Sequence, residues 1–347
     1  MSGLGWCKIQ DIRGQVMTSI AEILMPPSAR GHLRPLDIRH DLGAVADLVE
    51  LCFADTLDPD GRSYLRQMRD AARVAALWGW TGLFGESLSS SQTGYVWEEE
   101  RRIVGNLSLY SVETLGRRCI MIANVAVHPD FRGRGIARAL MATAIENGRS
   151  RGAVSAMLQV RDDNPIACHL YTSMGFVESA RRTTWLNSRE YERFTPPVGI
   201  TLGSRRARDW PLQRAWLGSL YPAELRWHIP LNLRLLKPGL EGGLYRLFSL
   251  DYPRHWSVYR QGLLAGVLTY QEMDGYVDAL WLAVSSPVDE LALRGLLSYA
   301  RQHLPARQPL TLNLPAEMVP QVIRGAGFYP QQTLIWMEYR YPASASF

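Results

Sequence analysis

The hydrophobic pattern of this chain changes period across one short turn, and that turn limits what can be built around it. Ile122, Val125 and Val127 supply the β-branched residues that suit a pleated, half-buried strand. His128-Pro129-Asp130 ends the strand, since Pro129 lacks a backbone donor and Asp130 suits a turn. Arg132-Gly133-Arg134-Gly135 follows, and then Ile136, Leu140 and Ala144 recur at four-residue steps on one helical face. Glycines permit the φ > 0 backbone that turns successive N–H groups inward. The first helical turn adds unpaired N–H groups and partial positive charge. Strand, glycine turn and helix start in that order predict an anion-binding site.

Spacing separates the loops that share this grammar. A P-loop requires G-x-x-x-x-G-K-[ST], and no Lys stands here. The Rossmann fingerprint G-x-G-x-x-G fails because Gly133-Arg134-Gly135 is followed by Ile136-Ala137-Arg138, without the third glycine. What remains is R-x-x-G-x-A, at Arg132, Gly135 and Ala137, which resembles the pyrophosphate-binding loop of the GNAT acyltransferase superfamily. For the loop alone, an ordinary tight β-to-α turn is the alternative. The second segment is Asn164-Pro165-Ile166-Ala167-Cys168-His169-Leu170-Tyr171 with Gly175-Phe176, after an apolar strand from Ala153 to Val160. It is similar to the family's N-x-x-A-x-x-L-Y-x-x-x-G-F helix, in the right order and at the right distance.

The resemblance implies a set of roles. Arg132, Gly133, Arg134, Gly135, Ile136, Ala137 and Arg138 would bind the pyrophosphate of acetyl-CoA or another acyl-CoA, and Asn164 would fix its arm. Backbone groups at Val125, Ala126 and Val127, where this strand leaves the next one, would hold the pantetheine and polarise the thioester carbonyl. Tyr171 would serve the leaving thiolate as proton donor. The general base is the point of departure, because Gln159 stands where several members carry Glu, and an amide takes no proton at neutral pH. Glu113 is a substitute, and Asp55, Asp58 and Asp60 are candidates for meeting an acceptor amine. No metal is expected. The implied activity is N-acyl transfer, as N-acetyl transfer, to an amine by direct attack in a ternary complex. A non-catalytic CoA-binding or interaction module is the alternative.

With 347 residues the chain has room for two domains. Residues 1–32 read as an N-terminal extension, with a short amphipathic segment over Ile12 to Met25 ended by Pro26-Pro27. Residues 33–195 read as the acyl-CoA domain, with Leu36 and Ile38 in a first strand, Asp41 capping a helix, and a hairpin from Tyr95 to Val112. Residues 196–215, rich in Pro, Gly and Arg, read as a linker. Residues 216–347 repeat the plan: strands at Leu263–Tyr270 and Tyr276–Val284, a helix facing inward through Leu293, Leu297 and Ala300, and a second Gly-Phe at Gly327-Phe328. There Ser285-Ser286-Pro287-Val288-Asp289-Glu290 replaces the glycine loop, and Ala316 and Ile323 fall where Asn164 and Tyr171 would be. This half reads as a degenerate copy without a CoA site, touching the first through tryptophans such as Trp216, Trp227 and Trp256. The expected fold is a duplicated, GNAT-like α/β (α+β) arrangement with a mixed, mostly antiparallel sheet flanked by helices. No apolar run spans a bilayer, no basic run suggests nucleic acid, and four dispersed cysteines point to a reducing cytoplasm.

Overall fold

The computed structural model describes residues 31–78, 92–114, 116–188, 194–225, 229, 231–249, 252–304 and 308–342. The segment expected over 12–25 and Trp227 lie outside them. In chain order the first half comprises β1 (His32–Pro35), α1 (Ile38–Phe53), α2 (Pro59–Trp78), β2 (Gln92–Glu99), β3 (Arg102–Thr114), β4 (Arg117–Val127), α3 (Ile136–Ser150), β5 (Ser155–Arg161), α4 (Pro165–Ser173) and β6 (Val177–Asn187). Then come β7 (Ile200–Ser204), α5 (Trp210–Leu220), α6 (Leu233–Leu236), α7 (Leu240–Ser249), β8 (Arg254–Arg260), β9 (Leu263–Gln271) and β10 (Asp278–Val284). The chain ends with α8 (Glu290–His303), β11 (Leu310–Pro315), α9 (Pro320–Gly325) and β12 (Phe328–Arg340).

All the described strands join one sheet in the order β1-β2-β3-β4-β5-β12-β6-β11-β10-β9-β8-β7. Only β4 with β5 and β10 with β11 run parallel among the described pairs. Each of these parallel pairs follows a crossover through a helix, α3 or α8, which is the connection parallel neighbours require. The sheet is therefore mixed and mostly antiparallel, as expected. Its centre was not expected. The last strand of the chain, β12, pairs with β5 from Leu334↔Arg161 to Arg340↔Ser155, while β6 pairs with β11 from Thr311↔Leu186 to Pro315↔Arg182. Each half thus lends its final strand to the other.

Burial follows the alternation of the strands. On one face α3 presents Ile136, Ala139, Leu140, Met141 and Ala144 to Leu107, Leu109, Ile120, Ile122, Leu158 and Val160. Ile335 and Met337 of β12 belong to that same cluster. Gly105 on β3 makes the close approach possible: a Cβ there would come within 2.8 Å of Ile136 and 2.9 Å of the Trp97 Cβ. On the opposite face α1 and α2 cover Val96 and Ala126 with Val45, Leu48, Val49, Leu65 and Met68. The second half has its own core, with Leu217 and Tyr221 at α5 and Leu293, Leu296 and Leu297 of α8. Trp256 is buried in it and Trp216 packs against it, so these two serve the second half's own core.

Two local expectations at the start of the domain are corrected. The first strand ends at Pro35, and the cap of α1 is Asp37, whose side chain accepts from the Arg39 N–H. Asp41 is instead drawn into the first turn by Arg34, which grips it at 2.6 and 2.9 Å, and it also accepts from the Asp37 N–H. Among the described residues no helix is long and apolar enough to cross a membrane.

Candidate active site

The glycine turn folds as a bare helix start. After β4, Pro129–Phe131 make one 3-10 turn, and Gly133 and Gly135 both adopt positive φ, 76° and 81°. Gly135 is the N-cap of α3, so it contributes no side-chain cap, and the first turn of the helix holds no acidic residue. The orphan N–H groups there are left without an internal anion. Three arginines flank the turn in sequence. Arg132 donates through Nε to the Val127 carbonyl at 3.1 Å, and Arg138 donates to the Ser173 hydroxyl at 2.7 Å. Arg134 lies over the Phe131 ring and reaches Glu99 at 3.4 Å and the Asp130 carbonyl at 3.2 Å. A Cβ on Gly133 would meet open space, so the approach to the turn is clear. Such a turn suits a phosphate group.

Beside this turn the sheet opens. The parallel pairing of β4 with β5 runs from Cys119↔Ser155 to Ile122↔Leu158 and then stops, although both strands continue. At the same level β4 bulges: Asn124 takes a left-handed φ of 52°, and the register with β3 slips between Ser108↔Ala123 and Asn106↔Ala126. The His128 N–H donates to Val104 on β3 at 2.8 Å, so alternation turns the amides of Val127 and Val125 away from β3, into the opening. Ala126 has the other sense, and its side chain is buried in the α1 cluster. Of the three residues expected to line the opening, two aim their backbone into it and the third anchors the strand.

The bulge carries a polar cluster that strand and helix periodicity did not reveal. Asn124 approaches the Ser108 hydroxyl at 3.3 Å and the Tyr64 hydroxyl at 3.4 Å, and Tyr64 from α2 meets the Tyr110 hydroxyl at 2.9 Å. Burial, with Tyr64 alongside, pushes the Tyr110 phenol well above its ordinary range. Asn106 donates to the Asn124 carbonyl at 3.0 Å and fixes the bulge. The only local sign in the sequence was the Asn itself, a residue that tolerates the left-handed region. The place of His128 was likewise not marked in the sequence: it directly precedes the 3-10 turn, and its Nε2 accepts from Arg102 at 2.8 Å.

The remaining site residues divide. Tyr171 on α4 is buried at 7% exposure against Phe176, and its phenol is pushed up to about 12, chiefly by burial and then by Cys168. Asn164 caps α4 by accepting from the Ala167 N–H at 3.1 Å and is otherwise exposed. Gln159 follows directly on the last β4–β5 pair and faces Trp336 across β12. Glu113 is not brought to the opening. It is exposed at the far end of β3 opposite Arg118, four positions beyond the Leu109↔Ile122 pair, or roughly 13 Å along a strand. Asp58 accepts from the Gly61 N–H at 2.7 Å, a helix-start role, and Asp55 is exposed. Among the described residues no group of His, Cys, Asp and Glu is arranged to hold a metal ion.

The equivalent position in the second half is chemically reversed. The N-cap of α8 is Asp289, whose carboxylate accepts from the Ala292 N–H at 3.0 Å, and Glu290 follows in the first turn. Arg260 pairs with the Asp289 carboxylate at 2.8 and 2.9 Å. A cavity of about 600 Å³ lies beside it, lined by Leu263, Pro287 and Val288 among others. The helix dipole there is already answered by the chain's own anion.

Comparison with known proteins is consistent with this geometry. The profile of the Acetyltransferase (GNAT) family matches residues 53–176, the segment that holds the glycine turn, the opening and Tyr171. The [ribosomal protein bS18]-alanine N-acetyltransferase of Salmonella typhimurium is 42% identical over 62 residues, covering 18% of this chain and 42% of that protein. The L-amino acid N-acyltransferase MnaT of Escherichia coli is 26% identical over 132 residues, covering 32% of this chain and 77% of that protein. The chain thus spans less than half the length of the first relative. A GCN5-related N-acetyltransferase from Sphaerobacter thermophilus superposes over 91% of this chain and 96% of its own, with a TM-score of 0.53 and 18% identity. That likeness extends the fold through both halves.

Proposed function

We propose that this chain, which belongs to the GNAT acetyltransferase superfamily through its residues 53–176, is an acyl-CoA-dependent N-acyltransferase acting on an amine in a ternary complex. The observation that carries the reading is the uncapped helix start at Gly135 lying beside the opening between β4 and β5. The two together fit a ligand with an anionic pyrophosphate at one end and an extended, amide-bearing arm. Arg132, Gly133, Arg134, Gly135, Ile136, Ala137 and Arg138 would hold the pyrophosphate, and the amides of Val125 and Val127 would pair with the arm. Asn164 would bound it at α4. When bound, acyl-CoA supplies an activated thioester carbonyl.

The residues then have separate tasks. Backbone N–H groups of β4 in the opening would support charge on the carbonyl oxygen. Tyr171, with its phenol held near 12, stays protonated at neutral pH. Full transfer of that proton to a thiolate, whose thiol titrates near ~8.5, runs uphill by roughly 3–4 pKa units. Tyr171 therefore works best as a hydrogen-bond donor to the departing sulfur. The amine must lose its proton to solvent or arrive neutral, since neither Gln159 nor Glu113 offers a carboxylate at the opening. A cytoplasmic setting belongs to the same proposal, as does the amine as acceptor; the names of two relatives specify an alanine and L-amino acids.

The test is release of free CoA thiol from acetyl-CoA by the intact chain over a panel of amines. The reading expects amine-dependent release above the amine-free rate. CoA binding without release for any amine would favour a binding module.

A further inference from the structure

Gln159 marks the opening in more than sequence. Its side-chain Nε2 is sealed from solvent and has no hydrogen-bond partner among the described residues. A buried amide donor left without an acceptor is a cost that an incoming acceptor would relieve. The register fixes where it sits. Ser108↔Ala123, Tyr110↔Met121 and Met121↔Met157 place these side chains on one face of the sheet, and alternation adds Gln159 to it, two positions beyond Met157. Leu158 and Val160, on the other face, are buried under α3. Gln159 thus lies on the face over which α2 presents Tyr64, away from the helix start that would hold the anion. The second half closes this face, because the cross-strand neighbour of Gln159 is Trp336 of β12. Arg66 of α2 reaches across to the Tyr276 hydroxyl at 3.0 Å.

We propose that Gln159 is the acceptor-recognition residue: its amide donates to a carbonyl or carboxylate oxygen carried next to the reacting amine. The inference rests on the acyl-transfer reading above and names the substrate class of that site. Gln159 is the first residue of β5 past the end of β4–β5 pairing, so an amine attacking a carbonyl held in the opening brings its own α-substituent to this amide. An α-aminoacyl group, as in a free amino acid or a peptide N-terminus, supplies an oxygen one carbon away; a simple alkylamine does not. A site that leaves its donor unpaired with the wrong substrate discriminates against it.

The experiment compares L-alanine, L-alaninamide and isopropylamine, which share one skeleton and differ in the oxygen-bearing group. Values of kcat/KM are measured for the wild-type chain, Gln159→Leu and Gln159→Glu, each checked for an unchanged melting transition. For the Leu variant, taking each amine's ratio across the enzymes cancels the different basicities of the amines. The Leu variant should lower the preference for the oxygen-bearing amines over isopropylamine by about tenfold or more. The Glu variant sets a carboxylate against that of L-alanine and should lower L-alanine relative to L-alaninamide. Should one variant fail to fold, the other carries the ratio. Alanine against alaninamide tells a free amino acid from a peptide end. An unchanged preference, or an equal loss on all three amines, overturns the role of Gln159 and leaves acyl transfer standing. A wild-type chain that transfers to no amine overturns both.

Discussion

The proposed role of Tyr171 and its burial make two separable predictions, one for rate and one for pH-dependent stability. Removing its hydroxyl in Tyr171→Phe should lower turnover about tenfold or more while acetyl-CoA binding stays near wild type, checked by steady-state kinetics beside calorimetry. A fully active Phe variant would reduce the residue to packing. Burial raises its folded-state value from 10 to about 12. The folded chain therefore keeps this proton after the unfolded chain has lost it. Its share of stability is complete below pH 10 and is lost as pH rises through about 12. The shift corresponds to roughly 2–3 kcal/mol, so urea unfolding of the Phe variant should decline less steeply across that window. A second prediction concerns the base. With Gln159 in place of a carboxylate, the rate should rise with pH toward the pKa of each amine, and a shared break near neutrality for several amines would contradict it.

At the level of elements, the strand, glycine turn and α3 were legible because their pattern is local: β-branched residues, two glycines and a four-residue apolar step decide them. The cap of α1 was not, because Asp41 is claimed by Arg34, and a helix start reads the same with either Asp. Gln159 was legible as a missing carboxylate, while its unpaired amide and its place just past the last β4–β5 pair belong to the folded sheet, which no local pattern records. The reversed chemistry of α8 was visible in Asp289 and Glu290, while the pairing of Asp289 with Arg260 was not. Asp289→Ala should therefore cost about 1 kcal/mol in chemical unfolding through loss of a cap. It should not create CoA affinity, since no glycine turn lies behind it. Binding at α8 in that variant would show that the carboxylate alone had closed a working site.

For the molecule as a whole, the exchange of β6 and β12 makes the two halves one sheet, and strand-like segments of equal pattern cannot say which half they will join. Cutting the chain near Thr195 would remove β12, opening the edge of β5 from Ser155 to Arg161 and taking Ile335 and Met337 out of the first core. Such a fragment should fail to give a folded monomer by circular dichroism and size-exclusion chromatography, and a monomeric, fully active fragment would refute the dependence. The second half completes the sheet that carries the opening, while the proposed anion site lies in the first half. The most direct test of that division is calorimetric titration of the intact chain with acetyl-CoA, in parallel with Arg132→Glu and Gly135→Val. Saturation at one molecule per chain, with affinity reduced about tenfold or more in both variants, is the predicted result. Saturation at two per chain, or affinity unmoved by either substitution, would contradict the assignment of the cofactor to the helix start at Gly135.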